Sequence, residues 1–410
     1  MNHRPAGPKS GKFQAVLLLA PPPAPWKTTD WYCKPIAGVP FLLRNILNIQ
    51  RGGAERLILY IRNNGEIDAE LRRRVANDSR VRLPVQWVAT PRQLAEQIDA
   101  NPILVLEGSA LHHKTEIAAA MASGMNEENA PINAATLNSL LLQIDDFNSS
   151  RLEQARSSAE PGGANTEGRI LSYLPGAENH KVLRAEDFPV QHERLMQTGG
   201  GLSNDSFLTR LFSRPVSRLM TRFLINTPFT PNQITLLSFV LGLGSAWCFF
   251  HLDYSMGLAG GGLLLLAIWV DGVDGEIARL KFMETKIGGK LDIICDNIVH
   301  VILFFSIGMG LYDSTGRTLY RYLGVLAALG SLVSFLLMGA AVIESKADAT
   351  ASAKPAANNL ADKLANRDFT YFLLLTALAG KVEWFLWATA IGSNIFALYL
   401  SYCKVRQLTK

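Results

Sequence analysis

DGVDGEIARLKFMETKIGGKLDIICD, residues 271–296, sets four aspartates where two apolar runs meet. GLAGGGLLLLAIWV (257–270) precedes it and NIVHVILFFSIGMGLY (297–312) follows, and each reads as a membrane-spanning helix. An aspartate at mid-bilayer costs about 2.5–3.5 kcal/mol on insertion scales, so four of them require a compensating partner.

Helical spacing says how they share one. Asp271 and Asp274 are three apart and lie on one face, which Ala278 continues; Asp292 and Asp296 are four apart, with Gly288 one turn before them. Two antiparallel helices joined by a short loop would then direct two carboxylates each into one cleft. All-oxygen ligands suit hard divalent ions, Mg²⁺ or Mn²⁺, and four such groups suffice to bridge two ions about 4 Å apart. Gly275, Ala278 and Gly288 are small enough for a substrate to approach the backbone, and Arg279 is placed to pair with a phosphate. Taken two at a time, the same aspartates also fit helix ends at a water interface, or a cation path in a transporter; the latter needs carboxylates spread through the membrane's depth.

Outward from this stretch the C-terminal half divides into six expected spans, near 233–251, 257–278, 289–311, 319–343, 368–381 and 384–403. Loops on one side carry Arg279, Lys281, Lys286, Lys290, Lys346, Lys354, Lys363 and Arg367, with Lys404, Arg406 and Lys410 at the C-terminus; the other side offers Arg317, Arg321 and Lys381. The positive-inside rule therefore puts the N-terminal domain and the aspartates in the cytoplasm. Ahead of the first span, TGGGLSN (198–204) reads as a flexible joint. Arg210, Arg214, Arg218 and Arg222 then recur every fourth residue among Leu211, Leu219, Phe223 and Leu224, a basic stripe against an apolar side. That pattern suits an interfacial helix on anionic lipid, with a break or restart at Pro215. An ordinary solvated face packed on protein is the alternative.

The first 200 or so of the 410 residues are of mixed character. FQAVLLLA (13–20), LILYIR (57–62) and PILVLE (102–107) alternate with segments of helical periodicity, PFLLRNILNIQRGG and PRQLAEQIDA, which predicts a parallel α/β sheet. The apolar core AVLLLA is too short for a secretory signal and reads as a buried strand. RSSAEPGGANTEG (156–168) is turn-rich. The net charge of +5 is modest and no nucleic acid is expected as a partner; the four cysteines, Cys33, Cys248, Cys295 and Cys403, have no metal or disulfide spacing.

As a full string, the opening stretch resembles the signature of the CDP-alcohol phosphotransferase family, DxxDGxxARx8GxxxDxxxD, with every fixed position filled. The resemblance covers roughly 205–404 and includes TPNQIT (230–235) at the first span. It implies that Asp271, Asp274 and Asp292 hold two divalent ions, that Asp296 touches a metal and acts as general base on the acceptor hydroxyl, and that Gly275, Ala278, Arg279 and Gly288 form the CDP pocket. It further implies transfer of a substituted phosphate from a CDP-alcohol donor to an alcohol acceptor with release of CMP, in a homodimer. Lys363 and Arg367 are candidates for an acceptor or lipid phosphate, or for membrane anchoring.

AVLLLAPPPAPWKTTDWYCKPIAGVPFLLRNILNIQRGGAERLILYIRN resembles the start of a sugar-phosphate nucleotidyltransferase, a Rossmann-like α/β domain. In place of that family's Gly-rich phosphate loop stands PPPAPW (21–26), short of backbone N–H donors, and Ser109 takes the place of its metal-binding aspartate. A non-catalytic domain is expected over 1–197, a linker and interfacial helix over 198–230, and a transmembrane domain over 231–410. His112 and His113 are expected at the surface. The whole architecture resembles fusions that make CDP-inositol for a di-myo-inositol phosphate phosphate synthase. With the donor-making half inactive, phosphatidyl transfer from CDP-diacylglycerol is the expected reaction, and transfer from a soluble CDP-alcohol to an inositol phosphate the alternative. An inactive membrane-anchored binding protein is the reading from another class. The expected location is a prokaryotic inner or plasma membrane.

Overall fold

The computed structural model describes residues 13–61, 68–97, 103–124, 171–198, 209–345 and 369–408. The expected loop at 156–168, the glycines of the joint, and Lys363 and Arg367 lie outside the described residues. Chain packing divides the protein into two compact units, 1–195 and 196–410.

In the first unit, β1 (Phe13–Leu19) is central because all seven of its residues are apolar or can be buried, and all seven are buried. It pairs in parallel with β4 (Ala54–Ile61) and β6 (Ile103–Glu107); β5 (Val85–Val88) and β7 (Leu171–Leu174) extend the sheet outward, also in parallel, in the order β5-β4-β1-β6-β7. The three expected strands are thus the inner three. The helices are α1 (Thr28–Tyr32), α2 (Phe41–Arg51), α3 (Ala69–Ala76), α4 (Pro91–Gln97), α5 (Lys114–Gly124) and α6 (Asp187–Thr198). A small hairpin, β2 (Pro35–Ile36) and β3 (Val39–Pro40), turns through Ala37 and Gly38 at positive φ. Buried Arg44 of α2 donates to the Ile36 and Ala37 carbonyls at 2.8–3.1 Å, so a cation at a core position is spent on holding that turn.

The second unit is helical. A short wide turn, Thr209–Ser213, leads into α7 (Arg214–Leu224), which restarts at Pro215 in a first-turn position where its missing N–H costs nothing. Then come α8 (Pro231–Phe250), α9 (Tyr254–Leu280), α10 (Lys286–Thr315), α11 (Thr318–Ser345), α12 (Phe369–Leu378) and α13 (Val382–Leu408). Thr230 and Gln233 form a reciprocal capping box at the start of α8, which is what T-P-N-Q encodes. Leu236, Val240, Trp247, Leu329, Leu336, Ile391 and Leu398 all stand exposed. Helices apolar on every side suit lipid as solvent.

Small residues let these helices meet at backbone distance. A Cβ on Gly308 of α10 would fall 2.5 Å from the Gly324 Cα of α11, so the two backbones touch where both side chains are absent. Polar side chains add to this: Asn394 of α13 donates to the Leu326 carbonyl at 3.0 Å and Ser393 to that of Ala327 at 3.3 Å.

Five described helices are long and apolar enough to cross a membrane, and the chain is an integral membrane protein. The expected span at 368–381 corresponds to α12, ten residues long. At 1.5 Å per residue it extends about 15 Å, half the hydrocarbon thickness of about 30 Å.

Candidate active site

Asp271 and Asp274 lie in the last three turns of α9, and Asp292 and Asp296 in the first three of α10. The connection is tight. Phe282 takes φ 59°, and the Met283 N–H reaches back to the Ala278 carbonyl at 2.8 Å, closing α9 with a left-handed cap. Three residues on, the Thr285 hydroxyl accepts the Gly288 N–H at 2.9 Å and opens α10. Lys281 turns inward and donates to the Thr227 carbonyl at 2.7 Å. The two helices therefore run antiparallel with their carboxylates facing.

One carboxylate oxygen each from Asp271, Asp274 and Asp292 lies within 4.8 Å of the others. Asp271 and Asp274 are 7% and 6% exposed, so this negative charge is gathered largely out of water. A donor set of three carboxylates at that spacing fits a hard divalent cation, and mutual repulsion disfavours the cluster without one. Asp296, half-buried, follows Asp292 by one turn and is not among the three.

The surroundings add residues that periodicity alone had not singled out. The Thr235 hydroxyl of α8, buried, donates to Asp274 Oδ2 and also lies 3.1 Å from the Pro231 carbonyl. A Cβ on Gly288 would meet Asn232 Oδ1 at 2.8 Å, so the TPNQIT segment lines the same end of the cleft. A Cβ on Gly275 would meet the Arg279 guanidinium at 3.2 Å: that arginine, half-buried, lies back over the glycine of its own helix. Ala278 is half-buried. His300, one turn beyond Asp296, stacks on Phe304 and meets Phe369 edge-on, with ring centroids at 6.2 and 5.1 Å, as a packing residue does.

The arginine series of α7 divides. Arg210 and Arg222 are exposed and Arg218 half-buried. Arg214 departs from the stripe, because its side chain is 13% exposed and pairs with Glu276 at 3.1 Å. What α7 turns inward are the hydroxyls of Ser217 and Thr221, with that of Ser213 just before the helix, while Leu219 and Phe223, and Leu211 in the preceding turn, face out.

In the first unit aromatic side chains gather where the sequence has PPPAPW in place of a Gly-rich phosphate loop. After β1, Trp26 packs edge-on with Trp31, and Trp31 with Phe188 of α6. The Lys34 ammonium sits 4.7 Å from the Trp26 ring centre and 4.6 Å from that of Phe188, held between two aromatic faces. After β6, Ser109 donates to Glu107 at 3.2 Å. His113 is exposed as expected, but His112 is buried. Its Nε2 donates to the Glu107 carbonyl at 2.7 Å, and burial lowers its pKa below the usual histidine value. The expectation of a surface residue fails there because a satisfied ring N–H lets a neutral imidazole sit in the core.

Residues 229–395 match the family described as CDP-alcohol phosphatidyltransferase, and this part of the chain is a domain of that family. Among relatives, the chain is 35% identical over 129 residues, 32% of its length and 29% of the relative's, to the bifunctional IPC transferase and DIPP synthase of Aquifex aeolicus. It is 28% identical over 245 residues, 58% of its length and 54% of the relative's, to the protein of the same name from Thermococcus kodakarensis. A match that long exceeds residues 196–410 and so extends into the first unit. It is 38% identical over 96 residues, 23% of its length and 40% of the relative's, to the phosphatidylinositol phosphate synthase of Corynebacterium glutamicum. The matched regions span about half or less of these relatives.

Proposed function

We propose that the protein transfers a substituted phosphate group from a CDP-alcohol to an acceptor hydroxyl and releases CMP. The observation that carries this reading is the convergence of Asp271, Asp274 and Asp292 oxygens within 4.8 Å, inside the stretch that matches the family. Divalent ions, Mg²⁺ or Mn²⁺, held by these carboxylates would neutralise the diphosphate and stabilise charge developing in transfer.

The chain's own residues do the rest. Gly275, Ala278, Arg279 and Gly288 form the CDP pocket, with the Arg279 guanidinium swinging from Gly275 onto a phosphate oxygen. Asp296, one turn beyond the clustered oxygens, takes the proton from the acceptor hydroxyl as that oxygen attacks the β-phosphorus. The bond from the β-phosphorus to the bridging oxygen breaks, and CMP leaves with that oxygen. CDP-diacylglycerol is the leading donor and a polar alcohol or inositol phosphate the acceptor; the relative named phosphatidylinositol phosphate synthase supports an inositol-type acceptor.

In the same reading α12 and the residues before it form a sixth crossing, and the aspartate cleft opens to the cytoplasm of a prokaryotic inner or plasma membrane. Arg210, Arg218 and Arg222 meet anionic headgroups, Lys363 and Arg367 bind an acceptor or lipid phosphate, and the chain works as a homodimer. The first unit, with Lys34 set against two aromatic rings and PPPAPW in place of a phosphate loop, serves as a non-catalytic scaffold.

The test is CMP release by the full chain with Mg²⁺ or Mn²⁺, offering CDP-diacylglycerol and CDP-inositol separately against polar alcohols and inositol phosphates. Metal-dependent release with one donor, lost in Asp271→Asn, is expected. Asp296→Asn should lower the rate about 10²–10⁴-fold while metal binding persists. Protein that binds neither metal nor CDP would refute the reading.

A further inference from the structure

Glu276 belongs to the aspartate stretch but has no part in the reaction described above. It follows Asp274 by two residues, which turns it roughly 160° round α9, away from the cleft. It is 1% exposed. There its carboxylate accepts from three side chains of α7: Arg214 Nη1 at 3.1 Å and Ser217 Oγ at 3.0 Å on one oxygen, and Thr221 Oγ1 at 2.7 Å on the other. One turn earlier on α9, a Cβ on Gly272 would sit 3.3 Å from the Ser217 Cβ, so the helices are in contact.

The opposite face of α7 is turned outward. Leu219 and Phe223 are 53% and 74% exposed, with Arg218 and Arg222 beside them, and Leu211 in the preceding turn is 52% exposed. A helix with one apolar and basic face turned out and one hydroxyl face turned in belongs at a lipid surface, joined to protein on its inner side.

We propose that Glu276 is a positioning residue. It clamps the surface helix α7 onto the helix bearing Asp271 and Asp274, so that the seating of α7 at the membrane surface sets the rotation and depth of the metal-binding face. An apolar contact would hold the two helices together in many registers. A carboxylate with three directional donors from successive turns of α7 admits one. The inference rests on the metal reading of the aspartates.

The experiment uses the full chain in nanodiscs containing phosphatidylglycerol, with two readouts: deuterium exchange of the amides of residues 214–224, and Mn²⁺ affinity from the paramagnetic resonance signal of the free ion. Arg214→Met, and independently Ser217→Ala with Thr221→Val, should raise exchange in 214–224 at least tenfold and weaken Mn²⁺ binding at least tenfold. Arg214→Lys should remain within threefold of wild type in both. If Arg214→Met does not fold, the hydroxyl double variant carries the test. Faster exchange with Mn²⁺ affinity unchanged overturns the positioning role, and unchanged exchange overturns the clamp. A wild-type protein that takes up no Mn²⁺ overturns the metal reading and this proposal with it, whatever the exchange shows.

Discussion

Thr235→Val replaces a buried hydroxyl with a methyl of nearly the same volume, and so isolates one hydrogen bond. Thr235 is 3% exposed, and its hydroxyl donates to Asp274 Oδ2. Val preserves the contacts of the γ-methyl, and the Pro231 carbonyl at 3.1 Å loses only a shared, secondary contact. Helix α8 is capped elsewhere, by Thr230 and Gln233, so its formation should be unaffected. What disappears is the donor that orients a clustered carboxylate. Hydrogen bonds to charged groups contribute about 1.5–3 kcal/mol. At about 1.4 kcal/mol per decade this is roughly ten- to 150-fold, and outer partners of metal ligands typically contribute 10–100-fold in affinity or activity. Thr235→Val should therefore raise the half-saturating Mn²⁺ concentration for CMP release, or lower kcat/KM, by about 10–100-fold. Thr235→Ser, which keeps the hydroxyl, should stay within a few-fold. The assay is a Mn²⁺ titration of CMP release with detergent melting temperature as a control for folding. A Thr235→Val protein that melts normally and keeps wild-type Mn²⁺ dependence would show that Asp274 needs no such donor, and would refute the argument.

Two further outcomes follow from packing and burial. Because a Cβ on Gly308 would strike the Gly324 Cα at 2.5 Å, Gly308→Ala should force α10 and α11 apart and lower detergent stability by about 1–3 kcal/mol, read as a lower melting temperature. Normal melting would mean that the helices can separate there at no cost. His112 is neutral and buried, with its pKa depressed chiefly by desolvation, while the unfolded chain takes up a proton near pH 6.5. The unfolded state thus binds more protons below that pH, so stability of the first unit is full above about 6.5 and declines as the pH falls through it toward the folded pKa. Exchange protection of the β6 amides in the full chain, corrected for intrinsic exchange rates, should fall between pH 7.5 and 5.5, and less so in His112→Gln; equal pH dependence in both would place the effect elsewhere.

The sequence by itself determined the identity of the membrane region and the aspartate face, because both depend on local periodicity. Asp271 and Asp274 three apart and Asp292 four before Asp296 must lie on helix faces, and runs such as GLAGGGLLLLAIWV have no soluble home. The inner strands of the first unit were legible for the same reason: short apolar runs in alternation with helical ones. Partnership across elements was decided only in the tertiary structure. Nothing in the spacing of Arg210, Arg214, Arg218 and Arg222 says that Arg214 turns inward; that depends on Glu276, 62 positions away, being brought beside it. Thr235 and Asp274 are 39 apart, and the hydroxyl becomes an orienting donor only because α8 packs on α9. His112 looks like a surface residue in LHHK until the Glu107 carbonyl accepts its Nε2–H in the core. Periodicity specifies which face a residue occupies, and packing specifies what that face meets; a buried carboxylate or imidazole takes its role from the second.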